Sequence, residues 1–265
     1  MNVLAINGSP RLKQSATFHI LDHLLAGMRE AGASTDLIHL REHRVQPCTG
    51  CFSCWVKTPG QCILKDDMAH LLDKLAWADL TVYGTPLYHF SVTGLMKNFI
   101  DRTLPLIEPW LIEHPTEPNL TTHPHRVPKQ RSMFLVSVAG FPEFDHFGPL
   151  VETFKYNARI GNTHYLGEIL RPYSETMASP DFQESYQAYY DLVRQAGQAL
   201  INEGKIGEDL QAQLREPLFK VDPDVERSLS ASYWESLMDK NHVPESLRHG
   251  AAPFHPILSE TGGNK

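Results

Sequence analysis

The sequence predicts a doubly wound α/β domain built on a five-stranded parallel sheet. Two observations carry that reading. Five short apolar runs recur along the first 170 residues, each long enough for one buried strand. Each run is followed by a stretch whose apolar residues recur at helical spacing, and strict strand–helix alternation implies parallel strands wrapped on both faces.

The first strand falls on residues 1–6, and the first helix begins near Ser15, with Phe18, Leu21, Leu24, Leu25 and Met28 on one face. A second strand is expected over 34–40. Asp66 or Asp67 then caps a helix reaching Trp77, with Met68, Leu71, Leu72 and Leu75 inward. The third strand covers 79–83 and is followed by a helix over 91–103, with Leu95, Phe99 and Ile100 inward and Lys97 and Asp101 paired outside. Residues 105–130 carry six prolines and three histidines and read as a long surface excursion. Strand four covers 132–139, a helix 147–159, strand five 163–170, and a closing helix 183–201. Residues 1–203 thus form the domain, with insertions at 46–64 and 105–130. Residues 204–265 turn polar and form a C-terminal extension, expected to pack on its own or a partner subunit, with one amphipathic piece over 225–238. Tyr189, Tyr190 and Trp234 read as core or interface anchors.

Composition removes several classes of function. The net charge is −7 with no long basic run, which argues against a nucleic-acid role. No segment approaches the roughly 20 apolar residues of a membrane span. The opening residues read as a strand and not as a signal peptide. The four cysteines share one fifteen-residue window, unlike a secreted disulfide framework, so the expected compartment is the cytoplasm.

Between the first strand and first helix lies Asn7-Gly8-Ser9-Pro10-Arg11-Leu12-Lys13-Gln14-Ser15-Ala16-Thr17. A loop of small and hydroxyl residues opening onto a helix N-terminus presents free N–H groups and a positive dipole end to an anion. It lacks the Gly-Lys-Ser/Thr of a Walker loop and the three glycines of a dinucleotide fingerprint. Hydroxyls of Ser9, Ser15 and Thr17 with the charge of Arg11 suit a terminal monophosphate such as that of FMN. In a right-handed parallel sheet this loop shares the carboxyl edge with the cysteine loop, with Pro86-Leu87-Tyr88 and with Ala139-Gly140-Phe141.

Cys48, Cys51, Cys54 and Cys62 make a C-x2-C-x2-C-x7-C run. Thiolates so spaced can wrap one [4Fe–4S] cluster. Zinc competes, although four-cysteine zinc sites usually come as two separated Cys-x-x-Cys hairpins.

The phosphate loop, the cysteine run followed by Asp66-Asp67-Met68, and Gly84-Thr85-Pro86-Leu87-Tyr88 with the segment from Lys97 to Arg102 resemble the flavodoxin-fold NAD(P)H-dependent FMN reductases. Within them the cysteine run resembles the iron–sulfur flavoproteins. That resemblance covers about residues 1–200 and implies a flavodoxin-like fold. It also implies that Ser9, Arg11, Ser15, Ala16 and Thr17 hold the FMN phosphate. Thr85, Pro86, Leu87 and Tyr88, with Ala139, Gly140 and Phe141, line the flavin, and the four cysteines hold the cluster. Flavin N5 carries the chemistry, with Tyr88, His89 and His146 as candidates to orient substrate. No second nucleotide motif is present, so NAD(P)H has to stack on the exposed flavin and leave before an acceptor enters, which is ping-pong turnover. The acceptor is a small molecule or a protein, and a homodimer or homotetramer is implied. Two other readings stay open: a cluster-free two-electron reductase of quinone, azo or nitro acceptors, and a non-catalytic zinc-stabilised interaction module.

Overall fold

In the computed structural model, residues 1–178, 183–218, 222–245 and 248 are described. The chain divides into two units, Met1–Glu216 and Pro217–Lys265.

The first unit is the expected parallel sheet. Strand β1 (Asn2–Asn7) leads through a short 3-10 turn into α1 (Ala16–Glu30), then β2 (Ser34–His39), a one-turn α2 (Ser53–Val56) inside the cysteine loop, and α3 (Met68–Trp77). Next come β3 (Leu80–Pro86), α4 (Gly94–Asp101), a ribbon of β4 (Ile112–Glu113) with β5 (Thr121–Thr122), β6 (Ser132–Val138) and α5 (Gly148–Ile160). The unit closes with β7 (His164–Arg171), α6 (Gln183–Asn202) and α7 (Glu208–Arg215). The large sheet runs β2-β1-β3-β6-β7, all parallel, which is the flavodoxin order once the small ribbon is set aside.

The strand cores are continuous apolar runs because helices cover both faces. Val3 to Ile6 and Phe134 to Val136 are fully buried. On one side, α1 and α6 pack so closely that a Cβ at Gly27 or Gly197 would run into the main chain of the opposite helix, at Arg194 and Leu24. On the other side, α3, α4 and α5 bury Leu71, Leu75, Phe99, Leu150 and Phe154.

Three expectations change in detail. Strand β3 runs on to Pro86, because Gly84, Thr85 and Pro86 pair with Val136, Ser137 and Val138. Helix α4 starts later than residue 91: Ser91 is held in a tight turn with Tyr88, and the Thr93 hydroxyl caps the helix by accepting from Met96 N at 3.2 Å. The 105–130 excursion is more than a surface loop. His114 and Thr122 are buried, and its side chains meet the last carbonyls of α5: His114 Nε2 lies 2.7 Å from Arg159 O, Thr122 Oγ1 2.6 Å from Ile160 O and His125 Nε2 2.9 Å from Gly161 O. A helix C-terminus leaves such carbonyls without intrahelical partners.

Helix α7, which the sequence pattern left unmarked, belongs to the first unit. Buried Arg171 donates to Leu214 O and to Glu216 O, holding its C-terminal end. In the second unit, α8 (Pro223–Lys240) covers the expected amphipathic piece, with Tyr233 and Trp234 exposed. The remainder of the expected extension, from residue 249 on, lies outside the described residues. No described helix is long and apolar enough to cross a membrane.

Candidate active site

Hydrogen bonds within the loop after β1 set its shape. The Asn7 side chain is fully buried; its Oδ1 accepts from Ser9 N at 2.9 Å and its Nδ2 lies 3.1 Å from His39 Nδ1. Gly8 is pinned to β3 by Gly8 N donating to Gly84 O at 2.7 Å, and to α4 by Thr93 Oγ1 donating to Gly8 O at 2.8 Å. Ser15 is the α1 N-cap: its Oγ accepts from Phe18 N at 3.1 Å and donates to Leu12 O at 2.7 Å. The Ser15 hydroxyl therefore serves the loop itself.

Other polar groups of this loop are left without partners. Among the described residues, the N–H groups of Ala16 and Thr17 have no hydrogen-bond partner, as expected for the first turn of a helix. Thr17 is fully buried, and its Oγ1 is likewise unpartnered. A buried hydroxyl without a partner costs free energy unless something supplies one. Free N–H groups, an orphaned hydroxyl and a positive helix end are the donor set of an anion seat, and they fit a phosphate.

A cleft of about 120 Å³ opens over this seat. It is lined by Ser9, Arg11, Ser15, Ala16 and Thr17 from the first loop, by Pro86, Leu87 and Tyr88 after β3, and by Ala139 and Gly140 after β6. Three βα loops therefore converge at one sheet edge. Val138, Ser174 and Glu175 also line it and were not singled out in the sequence. Glu175 lies 4.0 Å from Arg11 across the cleft, and a Cβ at Gly140 would strike its carboxylate. The only sequence signal for Ser174 and Glu175 is position, since they follow the last strand at the same edge. Pockets that enclose a whole drug-sized ligand run from about 300 to 1,000 Å³, so this cleft seats one end of a cofactor.

Two of the flavin-lining candidates stand elsewhere. Thr85 is fully buried, its hydroxyl accepting from Thr93 N at 3.2 Å and donating to Pro86 O at 3.0 Å. Phe141 projects beside the cleft, stacks with Phe90 at a centroid distance of 6.5 Å and packs tilted against His146 at 4.5 Å. His89 and Phe90 form the centre of the Tyr88–Ser91 turn with φ of 47° and 60°. Such left-handed positions favour Asn and Gly, and a bulky residue there is strained. The turn holds Phe90 half exposed, against Phe141 and His146. His146 Nε2 lies 3.2 Å from Glu143.

The cysteine loop is clamped at its base. Asp66 and Arg102 are buried and paired twice, at 2.8 and 2.9 Å. Arg102 also donates to Gln46 O at 2.7 Å, and Asp66 accepts from Gln46 N at 2.9 Å and Met68 N at 3.2 Å. Asp66 thus meets the first N–H of α3 from the position before the N-cap, Asp67, whose own carboxylate accepts from Arg44 N. Burial pushes the Asp66 carboxyl up, but Arg102 and the two N–H donors outweigh it and hold it below the usual range. Within the loop, Cys48 and Cys51 are exposed, Cys62 half exposed and Cys54 buried. Burial pushes the Cys54 thiol up, and charge on Cys62, Cys51 and Cys48 adds to this. The Cys51 thiol is held down to about 7 by hydrogen bonds from Ser53 and Thr49. Among the described residues, no three His, Cys, Asp or Glu side chains stand close enough to hold one metal ion. The donor chemistry suits a cluster, but the sulfurs do not converge in this arrangement.

Residues 1–113 match the family model for NADPH-dependent FMN reductases. The resemblance read from the motifs is borne out over that stretch, which contains the phosphate loop, the cysteine run and Pro86-Leu87-Tyr88. An iron–sulfur flavoprotein of Archaeoglobus fulgidus is 39% identical over 103 residues, 39% of this chain and 49% of that protein. One from Methanocaldococcus jannaschii is 37% identical over 102 residues, 38% of this chain and 50% of that protein. The chain spans about half the length of the curated relatives it matches. Among solved structures, an FMN-dependent NADH-azoreductase from Bacillus anthracis superposes with a TM-score of 0.55 at 18% identity, covering 76% of this chain and 100% of that one. An NAD(P)H:quinone oxidoreductase from Methanothermobacter marburgensis gives 0.51 at 17%, covering 76% and 96%. These two establish the flavodoxin-like fold.

Proposed function

We propose that this chain is an FMN-dependent oxidoreductase using NAD(P)H as hydride donor. The observation that carries the reading is the cleft itself: an anion seat with an orphaned buried hydroxyl, joined to Pro86-Leu87-Tyr88 and Ala139-Gly140 at the carboxyl edge. When bound, FMN accepts a hydride and returns its electrons to an acceptor. The protein's part is to bind and orient. Ser9 and Thr17 hydroxyls, the Ala16 and Thr17 N–H groups and the Arg11 guanidinium hold the phosphate. Ser15 keeps the loop in the shape that aims them. Pro86 and Leu87 give the ring a stiff apolar wall, and Tyr88 with Phe90, Phe141 and His146 bounds the open side where donor and acceptor enter in turn.

The four cysteines are proposed as ligands of a [4Fe–4S] cluster relaying single electrons. Their spacing and the relatives named iron–sulfur flavoproteins support this. A cluster spreads its thiolates wider than a single ion does, so sulfurs too far apart for one ion are compatible with it. The exposure of Cys48 and Cys51 favours the second reading, a cluster-free two-electron reductase of quinone, azo or nitro compounds. A homo-oligomer and a cytoplasmic location complete the proposal.

Anaerobic purification with flavin, iron and zinc analysis, followed by NAD(P)H oxidation assays, tests these readings. Flavin with about four irons per chain supports the first, and flavin without iron the second. Protein that binds no flavin and contains zinc would overturn both.

A further inference from the structure

The excursion between α4 and β6 builds something the flavin reading does not use. It crosses the amino ends of β3 and β6, at the opposite edge from the cofactor cleft. The 3-10 turn at Leu104–Leu106 and the segment around His123 and His125 roof a cavity of about 470 Å³ between α4, α5 and the sheet. That volume lies within the range of small-molecule sites. The roof is fixed: besides the three contacts to the end of α5, Trp55 Nε1 donates to Ile107 O at 3.0 Å and Arg126 Nε to Pro105 O at 3.1 Å.

The walls are apolar, from Leu75, Ile100, Leu106, Met133, Phe154 and Ile160. Polar residues interrupt them, Thr81, Ser132 and Asn157 among others, and two of the polar groups suit an anion. Arg131 is half-buried and lines the cavity; its Nη1 reaches Val127 O at 3.2 Å, and among the described residues it has no carboxylate partner. Tyr83 lines it too, partly buried; burial pushes its hydroxyl up to about 12, and among the described residues that hydroxyl has no hydrogen bond. The other charged or basic groups on the wall are engaged. Asp101 is paired with Lys97 at 2.6 Å, while His123 Nδ1 lies 3.1 Å from Trp110 O and His125 Nε2 faces Gly161 O. One guanidinium and one phenol inside apolar walls balance a single negative charge on an apolar body, and the planar guanidinium fork matches a carboxylate.

We propose that the 105–130 excursion creates a second ligand site, separate from the cofactor cleft, for a small apolar monocarboxylic acid whose carboxylate meets Arg131 and Tyr83. The probe is octanoate, titrated calorimetrically into the flavin-loaded full chain, with octanol and acetate as comparisons. The expected result is saturable octanoate binding, one per chain, at least tenfold tighter than octanol, with acetate too weak to measure. Arg131→Gln lowers octanoate affinity at least tenfold and leaves octanol binding and flavin content unchanged. In the unaltered protein, octanoate moves the Met133 methyl resonance, a readout that needs no variant. Equal binding of octanoate and octanol, an unmoved Met133 methyl, or full affinity in Arg131→Gln would overturn the proposal. So would dissociation of a dimer by octanoate in sedimentation, which would make a second copy of the chain the occupant.

Discussion

Thr17→Val separates a binding role from a structural one, because the two predict opposite signs. Thr17 sits in the first turn of α1, fully buried, with its Cγ2 methyl against the position of Gly84 and its Oγ1 without a partner. Valine keeps the shape and replaces the hydroxyl by a methyl. In the flavin-free protein the substitution removes an unsatisfied polar group, which costs about 1–3 kcal/mol, so the variant should be as stable as the parent or more so. In the FMN complex it deletes a hydrogen bond to a charged phosphate, worth about 1.5–3 kcal/mol. That corresponds to roughly a 10- to 150-fold loss of affinity. Urea denaturation of apoprotein and fluorescence titration of FMN measure the two halves. A variant that loses apo stability while keeping FMN affinity would refute the reasoning, since it would place the hydroxyl in the fold and not in the site.

Further predictions follow from neighbouring contacts. Glu175→Gln removes a carboxylate facing Arg11 across the cleft, and FMN affinity should rise about two- to fivefold at low salt, less at high salt; an unchanged salt dependence would count against it. Asp66→Asn leaves Arg102 buried without its counter-charge, costing about 3–5 kcal/mol, whereas the apolar pair Asp66→Leu with Arg102→Met should recover much of this. Because the folded Asp66 carboxyl is depressed, its contribution is present above the ordinary Asp value of about 3.9 and is lost as pH falls through its lowered value. The stability gap between parent and Asp66→Asn should therefore narrow only below about pH 4; a gap that closes near neutral pH contradicts the pairing. His89→Asn with Phe90→Gly relieves two left-handed positions, raising stability by about 1 kcal/mol or more after losing the aromatic contacts. Flavin content should stay constant while KM for planar aromatic acceptors rises, and an unaltered KM would remove Phe90 from the substrate path.

The parts of this molecule legible in the sequence are those fixed by local pattern. Strands β1, β2, β6 and β7 and the cap at Ser15 appeared within a residue or so, because apolar runs and a hydroxyl before a helix carry their own signal. What was missed depends on partners far along the chain. Strand β3 reaches Pro86 through pairing with Val138, and the two strands of the ribbon are each only two residues long. His114, Thr122 and His125 looked like a polar loop, because the carbonyls they meet lie 36 to 45 residues away. Asp66 or Asp67 reads as a helix cap from the sequence, and the tie of Asp66 to Arg102, 36 residues on, is invisible to spacing. The Ser15 hydroxyl, expected at the phosphate, is also bonded within the loop, to Leu12 O and Phe18 N, since a cap and an anion donor share one sequence signature.

The central claim is that the end of β1 and the start of α1 hold a phosphate. Parallel titrations of apoprotein with FMN and with riboflavin, which differ only in that phosphate, test it most directly. Binding of FMN at least a hundredfold tighter than riboflavin, with the difference collapsing in Arg11→Glu while the fold is kept, is the predicted result. Equal affinity for the two flavins, or none for either, would contradict it.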